Sequence, residues 1–265
     1  MKTVLFLLLF VSNFVFSQKL KPVTNIPLTA DSFIGFDSYK NLYFIEGMVL
    51  HKNGNDGEYV FNDYQLGRIT SVDIINPLKV VVFYESTNTV VFLDNKLNEI
   101  ERISFNRLTE FTNVSTATNA GNNRLWIFNV DTQQLELYNY KTLTKTVVSQ
   151  PFKGKLLSQA SNFNYCFVLT EHKLRTFNIY GSILSEKDAN NFTKIVQQDE
   201  QLLALKDNEL YYIPAEVGNK NNLLHGIFKL NTSEITIKEL QLKQDFLYIY
   251  DGKTIHTFTL TLPKK

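Results

Sequence analysis

The sequence is poor in the residues that mark most small exported or catalytic folds. It holds a single cysteine, Cys166, which excludes an internal disulfide and any metal site built from several thiolates. Eleven glycines and six prolines in 265 residues leave no composition for a low-complexity linker or a collagen-like repeat. Neither sign of charge is in excess, with 27 Lys and Arg against 26 Asp and Glu. Such a balance lacks the basic surplus that phosphate binding needs, so nucleic acid is excluded as a main partner. No apolar run long enough for a helical membrane bundle is present. Catalytic motifs are missing as well: there is no His-Glu-x-x-His, no Gly-x-Ser-x-Gly and no glycine loop for a phosphate. What the chain has in quantity is aromatic, with 21 Phe and 13 Tyr, and such residues favour strands.

The N-terminus carries an address. Lys2 supplies one positive charge, residues 4–11 are an unbroken apolar run, and Phe14, Val15 and Phe16 extend it. Ser17 then offers a small residue, with Val15 two positions before it. This is the three-part order of a secretory signal peptide. It predicts removal of residues 1–17 and a mature domain over residues 18–265 that begins at Gln18. The run is too short to cross about 30 Å of hydrocarbon as an anchor. No cysteine follows it, so a lipoprotein is excluded. The expectation is export to a bacterial periplasm or cell exterior, by a protein that is not itself embedded in the membrane.

A repeat runs through the rest of the chain. Six segments share a turn, an apolar strand, a short polar turn and a second strand: residues 41–45, 79–84, 124–128, 165–169, 201–205 and 245–250. With Leu42, Val80, Leu125, Cys166, Leu203 and Leu247 as markers, the steps are 38, 45, 41, 37 and 44 residues. A period near 40–45 with four strands per unit is the signature of a β-propeller blade. The second unit parses as an inner strand at 69–75, then strands at 79–84, 89–93 and 99–105. The third parses as 114–118, 124–129, 134–139 and 145–149. Middle strands lie between neighbouring blades and need not alternate, whereas outer strands meet water and do.

The ends suggest how the ring closes. After the last hairpin, residues 246–261, only four residues remain, so the sixth unit lacks an outer strand. Residues 18–29 have an outer strand's composition and precede the first inner strand, and residues 19–28 are expected to complete the last blade. Docked on the last hairpin, they leave no free edge to aggregate. The predicted fold is therefore all-β, a single propeller of six four-stranded blades closed by the mature N-terminal strand. Seven blades or a β-sandwich are the alternatives. A membrane β-barrel would need strands of about ten residues with strict alternation. Residues 185–197 are the best helical stretch, but Asn190 and Asn191 interrupt it.

Little of this assembles into chemistry. His51, His172, His225 and His256 never pair at metal-ligand spacing, and residues 51–58 lack the ligand order of a calcium loop. Cys166 sits inside an apolar strand and reads as an inert core thiol. The sequons at Asn113, Asn191 and Asn231 read as chance matches. No acidic pair recurs at a fixed repeat position. The reading is of a protein that is not an enzyme and needs no cofactor or metal. One irregularity stands out: residues 214–222 interrupt the fifth unit with the longest polar connection in the mature chain. Asn219, Lys220, Asn221 and Asn222 are its candidate partner contacts.

The six hairpins, of which 42–46 and 79–84 are examples, and the Phe16-Ser17-Gln18 signal end resemble exported propellers of the Bacteroidota. The propeller is of the divergent kind, without WD dipeptides, kelch glycine pairs or sialidase Asp boxes. Its size and missing lipidation cysteine are similar to those of the periplasmic plug subunits of type 9 secretion translocons. That resemblance implies a noncatalytic protein docked under an outer-membrane channel, and carries over no binding residue. Two classes of function follow: a protein-interaction subunit of an outer-membrane or secretion complex, or a propeller that binds or processes a glycan or peptide in its central channel. Polar side chains converging on the channel from the inner strands would favour the second.

Overall fold

The computed structural model describes residues 20–213, 228–230 and 235–260. The predicted signal segment, the candidate loop 214–222, His225 and Asn231 lie outside the described residues. The first strand, β1 (Leu20–Pro27), is the outer strand of the last blade. Blade 1 is β2 (Ser32–Phe36), β3 (Leu42–Glu46), β4 (Val49–Gly54) and β5 (Gly57–Phe61). Blade 2 is β6 (Ser71–Asp73), β7 (Val80–Tyr84), β8 (Thr89–Leu93) and β9 (Glu99–Ser104). Blade 3 is β10 (Val114–Asn119), β11 (Arg124–Asn129), β12 (Gln134–Asn139) and β13 (Thr144–Val147). Blade 4 is β14 (Leu156–Ser161), β15 (Tyr165–Thr170), β16 (Lys173–Asn178) and β17 (Ile183–Asp188). Blade 5 is β18 (Lys194–Gln198), β19 (Gln201–Lys206), β20 (Glu209–Ile213) and β21 (Phe228–Leu230). Blade 6 is β22 (Glu239–Lys243), β23 (Phe246–Tyr250) and β24 (Thr254–Leu260), with β1 as its fourth strand. Six four-stranded antiparallel sheets make the propeller.

The second strand of each blade explains why its sequence is apolar without alternating. In β7, Val80, Val82 and Tyr84 face blade 1 and share a cluster with Tyr43, Ile45 and Leu50. Val81 and Phe83 point the other way, against Leu125 and Ile127 of blade 3. The period of two is intact, but both faces are covered. β11 does the same, with Leu125 and Ile127 toward blade 2 and Trp126 and Phe128 toward Cys166 and Val168 of blade 4. The buried residues thus gather in six clusters, one in each seam between adjacent blades. The outer strand β9 does not show the expected alternation: it is largely exposed, Ile100 included, with only Ile103 buried, and its pairing with β8 is irregular at Phe92 and Leu93.

Closure follows the predicted route. β1 pairs antiparallel with β24 from Leu20 opposite Leu260 to Pro27 opposite Thr254. A bulge between Pro22 and Thr24 accommodates the proline, which has no N–H to give and sits where none is needed, on an outer strand. Tyr250 of β23 ties the strand's exit, donating its hydroxyl to Ala30 O at 2.8 Å.

One sequence expectation shifts and another holds. The inner strand predicted over 69–75 is only Ser71–Asp73, because the Asp73 carboxylate accepts from the Ile75 N–H at 2.9 Å and turns the chain out of the ladder. Residues 185–197 form no helix, as expected: they are the end of β17, a turn and the start of β18, with Asn190 and Asn191 in the left-handed region at φ 51° and 62°. Asparagine tolerates that conformation better than most residues.

Candidate functional site

The inner strands enclose a channel of about 600 Å³. Polar side chains do converge on it, but most of them bond across the seams. Asp73 Oδ2 accepts from Asn119 N at 2.6 Å, joining blades 2 and 3. Thr116 donates to Gln159 Oε1 at 2.8 Å, and the Thr118 and Ser161 hydroxyls lie 2.6 Å apart, joining blades 3 and 4. Ile195 N donates to Ser158 Oγ, and Gln197 Nε2 to Ser161 O, across the next seam. Lys194 pairs with Glu239 between blades 5 and 6. Gln241 closes the circle by accepting from Phe36 N and donating to Phe36 O, each at 2.8 Å. That clamp needs Gly35, whose φ of +142° suits glycine and whose missing side chain leaves the space that the Gln241 amide fills. Burial pushes the Asp73 carboxyl up, while hydrogen bonds from Asn119 and Ile75 and the charge of Lys243 oppose it. The channel is a polar girdle whose groups largely satisfy one another.

The turns divide between two faces. First-to-second and third-to-fourth turns open on one face, here the lower face. Second-to-third turns and the connections between blades open on the upper face. Large apolar side chains stand out on the lower face. Tyr39, Leu78 and Phe163 lie in first-to-second turns and Leu143 and Tyr180 in third-to-fourth turns, all exposed, Tyr180 to 89%. On the upper face the corresponding residues are Tyr64 and Phe111. Asparagine and aspartate build the lower turns. Asn119 Oδ1 accepts from Gly121 N at 2.9 Å, Asn162 Oδ1 from Asn164 N at 2.8 Å, and Asn178 Oδ1 from Tyr180 N at 3.0 Å. These side-chain turns fix the loops that carry Phe163 and Tyr180. The strand ends Ile213 and Phe228, which the segment 214–227 joins, open on this face too.

Several other singled-out residues have settled local surroundings. His51 stacks on Phe44 at 4.8 Å between ring centres. His256 Nε2 is 2.7 Å from Asp251 Oδ2, and its Nδ1 is 3.1 Å from Asn25 Oδ1 on β1. Cys166 is fully buried, and burial pushes its thiol well up. Among the described residues no three His, Cys, Asp or Glu gather to hold a metal. No helix among them is long and apolar enough to cross a membrane. Lys52, inside the stretch compared with a calcium loop, is buried, and its ammonium donates to Asn95 O of blade 2 at 2.6 Å.

No protein-family model and no curated protein matches the sequence. Solved structures do match in fold. A catalytically inactive virginiamycin B lyase from Staphylococcus aureus, solved with quinupristin, aligns with TM-score 0.62 at 11% identity over 92% of this chain and 100% of that one. A chain of the mitotic checkpoint complex gives TM-score 0.59 at 10% identity, over 87% of this chain and 76% of that one. PorZ, a surface component of the type IX secretion system of Porphyromonas gingivalis, gives TM-score 0.50 at 13% identity. That match covers 91% of this chain and 39% of PorZ. At such identities the likeness is one of fold, a propeller whose solved examples include members of protein complexes.

The lyase corrects one expectation. The inference that this chain is not an enzyme rested on missing local motifs, and a propeller of closely similar extent is a lyase. The physical reason is plain. A propeller gathers side chains onto one mouth from turns about 40 residues apart, so a catalytic set leaves no short motif.

Proposed function

We propose that this chain is an exported docking module, an accessory subunit that holds a protein partner in an outer-membrane or secretion complex. The observation that carries this reading is the lower face, where Tyr39, Leu78, Leu143, Phe163 and Tyr180 stand exposed on turns of blades 1–4. Isolated exposed apolar residues are ordinary, but several rigid ones on one broad face are the composition of an interface core. A disc of this size suits a standard interface of roughly 1,600 Å². Balanced charge means that no single-sign field dominates the contact. The signal-like N-terminus supports a periplasmic site of action, and the resemblance to type 9 plug subunits supports an outer-membrane channel as the partner. Asn219, Lys220, Asn221 and Asn222, whose connection joins strands that open on the same face, are proposed contacts.

The test is affinity purification of the tagged protein from detergent-solubilised envelope, with partners identified by mass spectrometry. An outer-membrane or secretion component should co-purify in stoichiometric amount. Replacing Asn219, Lys220, Asn221 and Asn222 by a Gly-Ser link should leave the melting temperature unchanged and weaken that recovery. Recovery of no partner, together with turnover of a glycan or peptide by the purified protein, would replace docking with channel chemistry.

A further inference from the structure

Between blades 2, 3 and 4 the lower face is hollowed to about 530 Å³. Pockets for small ligands run to about 300–1,000 Å³. Turn residues wall this one: Asn122, Asn123 and Asn164, with the aromatic residues Tyr140, Phe163 and Tyr180. Phe163 and Asn164 also line the central channel, so the two spaces adjoin.

The polar groups of the wall are mainly amides with capacity to spare. Among the described residues the side chains of Asn122 and Asn164 make no hydrogen bond, and both residues are exposed. Asn119 and Asn123 accept through Oδ1 from Gly121 N and from the Tyr140 hydroxyl, and their Nδ2 groups donate to nothing among those residues. Two of the rings are uncovered. Tyr180 is 89% exposed and Phe163 39%, and neither stacks on another described ring. Their turns are held in place, Asn178 Oδ1 accepting from Tyr180 N at 3.0 Å and Asn162 Oδ1 from Asn164 N at 2.8 Å. Charge has little to offer here. No Asp or Glu lines the hollow, Lys79 is engaged by the Tyr140 hydroxyl at 2.9 Å and by Glu101 at 3.8 Å, and the Arg124 Nε is buried.

We propose that this hollow binds a neutral oligosaccharide. A sugar hydroxyl donates and accepts at one atom, and an amide side chain does both in one uncharged group, so each answers the other. A pyranose also has an apolar C–H face, which packs on the face of an aromatic ring. Tyr180 and Phe163 supply the rings and the asparagines supply the amides. A cationic ligand would find no carboxylate. An anionic one would meet one cation already paired and another whose Nε is buried. An extended peptide needs an open strand edge, and the bordering strands β11 and β12 are paired on both sides. The adjoining channel gives room for more than one sugar unit. This inference goes beyond the docking reading and does not rest on it.

The test titrates the purified protein calorimetrically with hexasaccharides of glucose, mannose, galactose and N-acetylglucosamine. At least one should bind with a Kd below about 1 mM. Tyr180→Ser and Asn164→Ala should each weaken that binding at least about tenfold at unchanged melting temperature, whereas Tyr180→Phe, which keeps the ring, should retain it. Binding of none of the four, or wild-type affinity in Tyr180→Ser, overturns the proposal. Hexagalacturonate binding at least about tenfold more tightly than every neutral hexasaccharide also overturns it, in favour of a site led by charge. Equal binding of acetylated Gly-Ser-Gly-Ser-Gly-Ser amide overturns it in favour of a peptide groove. Since the titration needs no partner, its failure leaves docking to be decided by recovery from the envelope.

Discussion

Asp37 turns the chain between the first two strands of blade 1 while buried to 2% exposure. Its carboxylate accepts from Tyr39 N at 2.8 Å, Asn41 N at 2.9 Å and Asn41 Nδ2 at 2.9 Å. Burial, and then the charge and hydrogen bond of Asp37, push the Tyr43 phenol above its ordinary range. Removing the acceptor would strand buried donors, so Asp37→Ala should cost about 2–4 kcal/mol in urea unfolding. A cost below about 0.5 kcal/mol, the level of a neutral surface change, would contradict that role. A second carboxylate makes stability depend on pH. Burial raises the Asp251 carboxyl, but hydrogen bonds from His256 and from Lys253 and Thr254 N–H outweigh it and hold the group below the usual carboxylate range. A depressed folded value means stability that is present above the unfolded value, about 4, and is lost as pH falls through the folded one. Asp251→Asn should therefore be less stable than wild type at pH 7, with a gap that closes on acidification. A gap constant with pH would refute the linkage.

At the scale of the element, β1 makes the sharpest prediction. It covers the edge of β24 from Thr254 to Leu260, and an uncovered edge of seven residues is a template for aggregation. Deleting residues 20–27 should lower the melting temperature clearly or cause aggregation. Wild-type stability in the truncated protein would mean that the ring does not depend on its N-terminal strand. Strands were the most legible part of the sequence, because the second strand of every blade is buried on both faces and so reads as an unbroken apolar run. The inner strands were less legible. Their side chains are polar and bond across seams to residues 36–46 positions away, or 205 in the case of Phe36 and Gln241, so no local pattern reveals them. Leu78, Phe163 and Tyr180 sit in Asn-rich turns, where the polar neighbours that build each turn conceal the apolar residue it displays.

Taken as a whole molecule, the protein is six seams as much as six blades. Each seam joins an apolar cluster to polar bonds, from the buried Lys52 ammonium on Asn95 O between blades 1 and 2 to the Gln241 clamp between blades 6 and 1. Each such bond contributes about 0.5–1.5 kcal/mol net. Rigid seams hold the lower turns in fixed relation, which lowers the ordering cost of an interface built on them. The claim that this face docks a partner is tested most directly by comparing face variants in the same envelope purification. Tyr39→Ser, Leu78→Ser and Leu143→Ser combined should abolish recovery of the partner, while Tyr64→Ser with Phe111→Ser on the upper face should leave it at wild-type level. Equal recovery with both variants, or loss with the upper-face variant alone, would contradict docking through the lower face.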